Sequence, residues 1–339
     1  MPGMLHGKLL RSPHPHARIV HIDTSRAAGL AGVRAIVTGS DFPGVRYGNL
    51  PQTRDYLPLA TDKVRYIGEE VAAVAAVDED TAEEALELLR VEYEELPAVF
   101  DPEEAMQPGA PQLHAHAPGN ISSKSGYHFG DADAAFAMAE YVREDVVETQ
   151  PVKHGMLEPH ACIGLWDHAG KATLWSCKMS PYVVWRQLSM GLDLQPGNVR
   201  VVQTYVGGGF SGGKQEAMPM DFCAIMASKK TGRPVKFVHT MDEVLTIGHL
   251  RHPMKIWLRT ATGRDGRILA QHCRLLANGG AYSSIGGFSI FLAGTMINLP
   301  YRVPNIKYES QRIYTNNGFC GALRGHTVVQ MSFARDSQL

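Results

Sequence analysis

What the chain lacks narrows its class first. Its five cysteines (Cys162, Cys177, Cys223, Cys273 and Cys320) are odd in number and widely spread, and none belongs to a C-x-x-C pair. That pattern argues against a disulfide framework, a zinc site or an iron–sulfur cluster held by this chain alone, and it suits a reducing, cytoplasmic setting. No apolar run approaches the roughly 18 residues of a membrane span. The opening Met1-Pro2-Gly3-Met4-Leu5-His6 has neither the basic nor the apolar region of a secretory signal. An excess of one charge is missing too: 33 Lys and Arg stand against 34 Asp and Glu, with no dense basic cluster to bind nucleic acid. No repeat of fixed period stands out.

What is there describes an ordinary globular protein. At 339 residues, with 44% apolar and 20% charged residues, the chain has material for two domains, each with a sizeable core. Short apolar runs at Leu5–Leu10, Ala17–Ile22, Val33–Val37 and Val71–Val77 read as strands. Ala82, Ala85, Leu86 and Leu89 mark one face of a helix over Asp78–Arg90, with Thr81-x-x-Glu84 as a capping pattern. Residues 107–130 are rich in Pro, Gly and Ser and read as a linker, with His114 and His116 exposed in it. Further on, helices are expected over Tyr182–Leu192 and Gln215–Lys230, the second stopped by Gly232 and Pro234. Strands are expected over Val199–Val206, Val235–His239, Met254–Thr260, Ile268–Ala277 and Ile306–Tyr314, with a hairpin turn at Gly263–Gly266. The fold class is α+β.

Between the strand ending near Val206 and the helix expected from Gln215 lies Gly207-Gly208-Gly209-Phe210-Ser211-Gly212-Gly213-Lys214, with five glycines in eight residues. So many glycines cost conformational entropy, and a common compensation is close approach of backbone to a ligand. Gly208 through Gly213-Lys214 satisfies most of a nucleotide P-loop, but Gln215 stands where a magnesium nucleotide needs a Ser or Thr hydroxyl. A dinucleotide fingerprint fails on spacing. Glycine-rich turns also occur simply to pack a helix on a strand.

Several motifs in order resolve the choice. Val206-Gly207-Gly208-Gly209-Phe210 with Lys214-x-Glu216, Leu250-Arg251-His252-Pro253, Asn278-Gly279-Gly280-Ala281-Tyr282, and Tyr314-Thr315-Asn316 followed by Gly321-Ala322-Leu323-Arg324-Gly325-His326 resemble the molybdenum-cofactor subunit of the xanthine dehydrogenase and aldehyde oxidase family. Arg11-Ser12-Pro13-His14-Pro15-His16-Ala17-Arg18-Ile19 and Val91-Glu92-Tyr93-Glu94-Glu95-Leu96-Pro97 resemble its α/β hammerhead domain. The resemblance spans the whole chain. Arg-Gly-His and Ala217–Phe222 lean towards the 4-hydroxybenzoyl-CoA-reductase-like branch.

The resemblance implies a hammerhead domain over residues 1–106 and the first part of a mixed α/β molybdopterin-binding domain over 131–339. Members hydroxylate a carbon beside a heteroatom, or run a related two-electron reduction, on an aldehyde, N-heterocycle or aromatic thioester. It implies molybdenum–molybdopterin in mononucleotide or cytosine dinucleotide form, with [2Fe–2S] clusters and FAD on partner chains. It places Gly209, Phe210, Ser211, Gly212, Gly213, Met179 and Arg324 at the cofactor, and Glu216, Arg251 and His326 at a small-molecule substrate. No catalytic residue and no direct metal ligand is expected in this chain, because the family's glutamate base lies in a C-terminal half, expected here on a partner. The cluster His14, His16 and His21 falls in the hammerhead region and reads as structural.

Four departures from the family pattern stand out. Ser211 makes the glycine loop one residue longer than usual, so it must bulge or re-aim Phe210. Met179 replaces a glutamine, and a thioether has no N–H to donate, leaving Lys178 as the neighbour that could reach in its place. Thr327 follows Arg-Gly-His where glycine is usual. The chain is also less than half the usual subunit length, which fits one part of a split subunit or a fragment. Two other readings stand beside the enzyme: a non-catalytic scaffold or assembly partner, and a P-loop-like nucleotide binder.

Overall fold

The computed structural model describes residues 1–247 and 249–339. Two compact units are built from interleaved segments. Met1–Ala98, His154–His249 and Asn316–Gly318 form the first; Val99–Lys153, Leu250–Thr315 and Phe319–Leu339 form the second.

The N-terminal segment runs β1 (Leu5–Arg11), β2 (Ala17–Asp23), α1 (Ser25–Gly29), β3 (Val33–Thr38), β4 (Lys63–Val64), β5 (Glu70–Ala76), α2 (Glu79–Leu88) and β6 (Arg90–Glu95). β5 is buried along its whole length: Glu70 at its start is paired with Arg11, and the run of Val and Ala that follows suits a strand covered on both faces. The cap of α2 is Asp78, whose carboxylate accepts the N–H of Thr81 at 2.8 Å. The Thr81–Glu84 pattern therefore lies inside the helix, one turn beyond its start.

The next segment carries α3 (Pro102–Ala105), β7 (Ile121–Phe129), α4 (Ala132–Ala137) and β8 (Tyr141–Thr149). The stretch expected to be a linker is ordered. Buried Asn120 accepts the N–H of Leu113 and donates to the carbonyls of Ala105 and Pro111, and β7 starts at the following residue. Pro and Gly there set turns rather than slack. Only His116 is exposed; His114 is buried, with Nε2 2.7 Å from the carbonyl of Ala281 and its ring 4.5 Å from that of Tyr314.

Then follow β9 (Ala161–Trp166), β10 (Ala172–Ser176), α5 (Pro181–Gly191), β11 (Val199–Gln203), α6 (Pro219–Thr231), β12 (Val235–Val238) and α7 (Met241–Thr246). β11 stops three residues short of Val206, and α6 begins four residues after Gln215. Pro219 sits in its first turn, and Asp221 reaches back to accept the N–H of Met218 at 2.8 Å. Its end is as expected: Gly232 caps it with φ 65° after Lys229 and Lys230. The chain closes with β13 (Met254–Thr262), β14 (Ile268–Gly280), α8 (Ser289–Thr295), β15 (Asn305–Tyr314) and α9 (Val328–Gln338).

In the first unit a seven-stranded sheet has the order β11-β10-β9-β12-β1-β5-β3, beside a three-stranded sheet β4-β2-β6. In the second, five strands run β7-β15-β14-β13-β8. One face of this sheet packs Ile256, Leu258, Cys273, Leu275 and Tyr308 against Ile290 and Ala293 of α8 and Met331 and Ala334 of α9. The period-two alternation puts the charged residues of the same strands on the other face.

Candidate functional site

In the first unit, topology gathers the glycine loop and its neighbours at one end of the sheet. β10 and β11 are parallel, so the segments that follow them leave the sheet together, and the Thr204 N–H still bonds the Ser176 carbonyl at 3.1 Å. β9 runs antiparallel to β10, which brings the residues leading into it, His154–His160, to the same end. Met179 donates its N–H to the carbonyl of Lys214 at 2.7 Å, tying the two exits together.

The loop itself holds four left-handed residues: Gly208 (φ 103°), Phe210 (φ 49°), Ser211 (φ 79°) and Gly213 (φ 82°). The Gly212 N–H closes on the Gly209 carbonyl at 2.7 Å. A Cβ at Gly209 would stand 2.9 Å from Lys214 Cδ, and one at Gly212 would stand 2.7 Å from the His154 ring. Much of the glycine content is thus demanded by packing inside the loop. Gly208 differs: a Cβ there would meet nothing closer than the Phe210 ring at 4.0 Å. Ser211 is absorbed by the left-handed pair at the tip, which turns Phe210 outward at 41% exposure.

Two lysines beneath the tip are enclosed. Lys214 is fully buried in an ion pair with Glu158, which also accepts the Gly207 N–H at 2.7 Å. The lysine is therefore not presented to a phosphate, and the P-loop reading loses its central contact. Lys178 is paired with Asp221 at 2.8 Å and donates to the carbonyl of Glu216 at 2.9 Å. It points inward and does not replace the absent glutamine; the Met179 side chain next to it is 43% exposed. Glu216 lies in the loop's exit rather than at a helix start. It is buried, 2.9 Å from His249 Nε2, and accepts from Asn49 at 3.2 Å. His160 lies close below, and burial, then His239, Lys178, Lys214 and His249, hold its pKa well below the usual histidine value.

In the second unit, parallel β14 and β15 end side by side at Gly280 and Tyr314, and residues 321–326 approach α9. The residue that organises this end is Arg312, which no sequence motif singles out. Fully buried, it donates Nη2 to the carbonyls of Gly279, Tyr282 and Cys320 at 2.8–3.0 Å. Its Nε donates to His252 Nε2 at 3.0 Å. A guanidinium only donates, so His252 carries its proton on Nδ1, facing Ser289 Oγ at 3.3 Å, and Ser289 Oγ meets His326 Nε2 at 2.6 Å. Burial, then Arg312 and Arg251, lowers the pKa of His326 to about 4. It is neutral at physiological pH. Arg251 gives Nη2 to the backbone carbonyl of Arg324 at 2.9 Å. Arg324 itself is exposed and has no ion-pair partner among the described residues. Thr327, where glycine was expected, is left-handed (φ 63°) and buried at the start of α9.

The donor set at the loop tip suits an anionic group. Among the described residues, the N–H groups of Gly208, Gly209, Phe210 and Ser211 donate to no protein acceptor, and successive free amides in a left-handed turn form an anion-binding concavity. Comparison with known proteins places the chain in a family. Residues 113–339 match the molybdopterin cofactor-binding domain, and residues 1–97 match the aldehyde oxidase and xanthine dehydrogenase a/b hammerhead domain. The chain belongs to the xanthine dehydrogenase and aldehyde oxidase family. It is 38% identical, over its full length, to 45% of a probable xanthine dehydrogenase subunit of Bacillus subtilis. It is 35% identical, again over its full length, to 78% of the nicotinate dehydrogenase large molybdopterin subunit of Eubacterium barkeri. Among solved structures, the aldehyde oxidoreductase of Desulfovibrio gigas superposes with a TM-score of 0.93 at 28% identity, over 99% of this chain and 38% of that one. The family consists of molybdenum-dependent oxidoreductases, and this chain spans about half the length of the Bacillus relative. No described helix is long and apolar enough to cross a membrane.

Proposed function

We propose that this chain is part of a molybdenum hydroxylase-type oxidoreductase and that its glycine loop contacts the cofactor. The observation that carries the reading is the run of free amides at Gly208–Ser211, built on a backbone that packing and the Glu158 pair hold in place. The bound cofactor would supply the two-electron chemistry. The chain's part is to bind and orient: amides of Gly209, Phe210 and Ser211 for an anionic oxygen, and the exposed guanidinium of Arg324 as a fork of donors. Arg251 supports Arg324 through its backbone, and His326 offers a neutral ring whose Nε2 is already engaged by Ser289. We assign Glu216 an indirect role through His249 and Asn49. Relatives named for xanthine and nicotinate point to an N-heterocycle as substrate, ahead of an aldehyde or an aromatic thioester. [2Fe–2S] and FAD chains, and a chain with the remaining cofactor contacts and the glutamate base, would be its partners.

The test is purification of the complex containing this chain, with molybdenum and pterin measured. Absence of molybdenum from every such complex would count decisively against the reading. Arg324→Ala in an active complex should lower turnover of an N-heterocycle about tenfold or more; unchanged kinetics would remove Arg324 from the site. A scaffold role is favoured by one observation, the exposed thioether of Met179. It predicts a stable complex with no metal, which the same purification distinguishes.

A further inference from the structure

A residue outside the glycine loop, marked by no motif, contacts both of its ends. Glu158 precedes β9, and a single carboxylate oxygen, Oε2, accepts both the Gly207 N–H at 2.7 Å and the ammonium of Lys214. Gly207 and Lys214 are the two ends of the loop. The first is a glycine set tightly against the carboxylate's stem, since a Cβ there would stand 3.1 Å from Glu158 Cβ. The Lys214 stem fills the loop's interior, occupying the space a side chain on Gly209 would need. Met179 N–H bonds the Lys214 carbonyl, and Lys178 Nζ bonds the carbonyls of Glu216 at 2.9 Å and Gly213 at 3.4 Å, all towards the exit side. Between the ends, the tip has one internal bond, Gly212 N–H to Gly209 carbonyl, and two non-glycine residues in the left-handed region. Such a backbone persists only where its surroundings over-determine it.

We propose that Glu158 is the positioning residue of this loop, joining its two ends so that the tip backbone keeps its shape. The proposal rests on the reading of the loop as the cofactor contact for its consequence, but not for the structural claim itself. Two variants of the full chain test it: Glu158→Gln, and Glu158→Gln combined with Lys214→Met. Hydrogen exchange by mass spectrometry follows the loop peptide, with α6 as internal reference, and thermal unfolding follows the whole chain. In Glu158→Gln the bonded amide of the tip, the Gly212 N–H, should exchange about tenfold faster, while α6 changes by less than about twofold. The double variant removes the stranded charge. Its melting temperature should recover to near wild type while loop exchange stays fast. Recovery of both would show that the pair only neutralises a buried lysine, and would overturn the positioning role. So would unchanged loop exchange in the single variant, or equal acceleration everywhere. Molybdenum in the wild-type complex is measured separately: its absence overturns the cofactor reading, whereas the exchange results alone decide the role of Glu158.

Discussion

Replacing Lys178 by Met keeps the length of the side chain and removes its charge. Lys178 and its partner Asp221 are 3% and 1% exposed, 2.8 Å apart, so the substitution strands a carboxylate in the interior. Breaking a buried pair from one side costs about 3–5 kcal/mol. The carbonyl of Glu216, bonded to Lys178 Nζ at 2.9 Å, also loses its donor, which adds about 1 kcal/mol or more. Asp221 keeps two partners, the Met218 N–H and Ser176 Oγ, and these limit the total. A loss of about 4 kcal/mol is expected, a large part of the ~5–15 kcal/mol that holds a domain folded. Urea unfolding of the variant beside wild type measures it. Adding Asp221→Asn removes the stranded charge yet retains an acceptor for Met218, so the double variant should regain at least about 2 kcal/mol. A loss below about 1 kcal/mol in the single variant, or no recovery in the double, would refute the assignment of Lys178 as a structural brace. It would reopen the possibility that its ammonium serves the site beside Met179.

Other substitutions probe the strained backbone and the histidine chain. Ser211→Gly should stabilise the chain by about 0.5–1 kcal/mol, because relief of about 1–2 kcal/mol in the left-handed region exceeds the entropic cost of glycine; chemical denaturation showing a loss would mean that Ser211 is relaxed there. Thr327→Gly deletes a buried side chain and the bond from its Oγ1 to the His326 carbonyl, yet should cost no more than about 1 kcal/mol, since the same relief applies at φ 63°. A cost above about 2 kcal/mol would argue against strain at that residue. For His326, the unfolded chain binds a proton near pH 6.5 and the folded one only near pH 4. Its contribution is therefore complete above about pH 6.5 and is lost as pH falls towards 4. His326→Phe should flatten the fall in stability between pH 6.5 and 4 by about 3 kcal/mol, leaving the parts due to His160 and His16, whose pKa values are lowered as well. An unchanged slope would show that His326 is protonated normally.

Which parts of this fold could be read from sequence follows from how local each cause is. β5 was legible because the small apolar run Val71–Val77 is too short for a buried helix and suits a strand covered on both faces. α6 was legible from its C-terminal signals, all within a few residues, but its start was misread. Apolar Ala217 and Met218 continue the helical pattern backwards, whereas the Pro219 and Asp221 cap sets the true boundary. β9 carries no expected strand in the sequence, and its middle residue, Gly164, weakens a strand interior. In the fold, α6 packs so closely on β9 that a Cβ at Gly164 would stand 2.4 Å from the backbone of Ala224. A helix two strands away dictates that glycine, and nothing in the adjoining residues shows it.

The site divides along the same line. Residues that present groups, the loop amides and Arg324, lie in runs whose composition is unusual enough to notice. Residues that hold those groups in place do not. Glu158 is 49 positions from Gly207 and 56 from Lys214, and Arg312 reaches Ser122 across 190. Each reads alone as an ordinary charged residue near a strand, and its role appears only when the fold brings its partners to it. The five glycines then separate by cause. Gly209 and Gly212 are small because Lys214 and His154 occupy the space beside them, Gly207 sits tightly against Glu158, and Gly213 takes a left-handed turn. Gly208 alone combines a left-handed backbone with open space beside it. If close approach of a ligand is what the loop is for, Gly208→Ala should weaken cofactor retention more than it weakens folding. Molybdenum content and denaturation midpoint, measured on the same complex, should separate at that position. Equal losses in both would return the whole glycine run to packing.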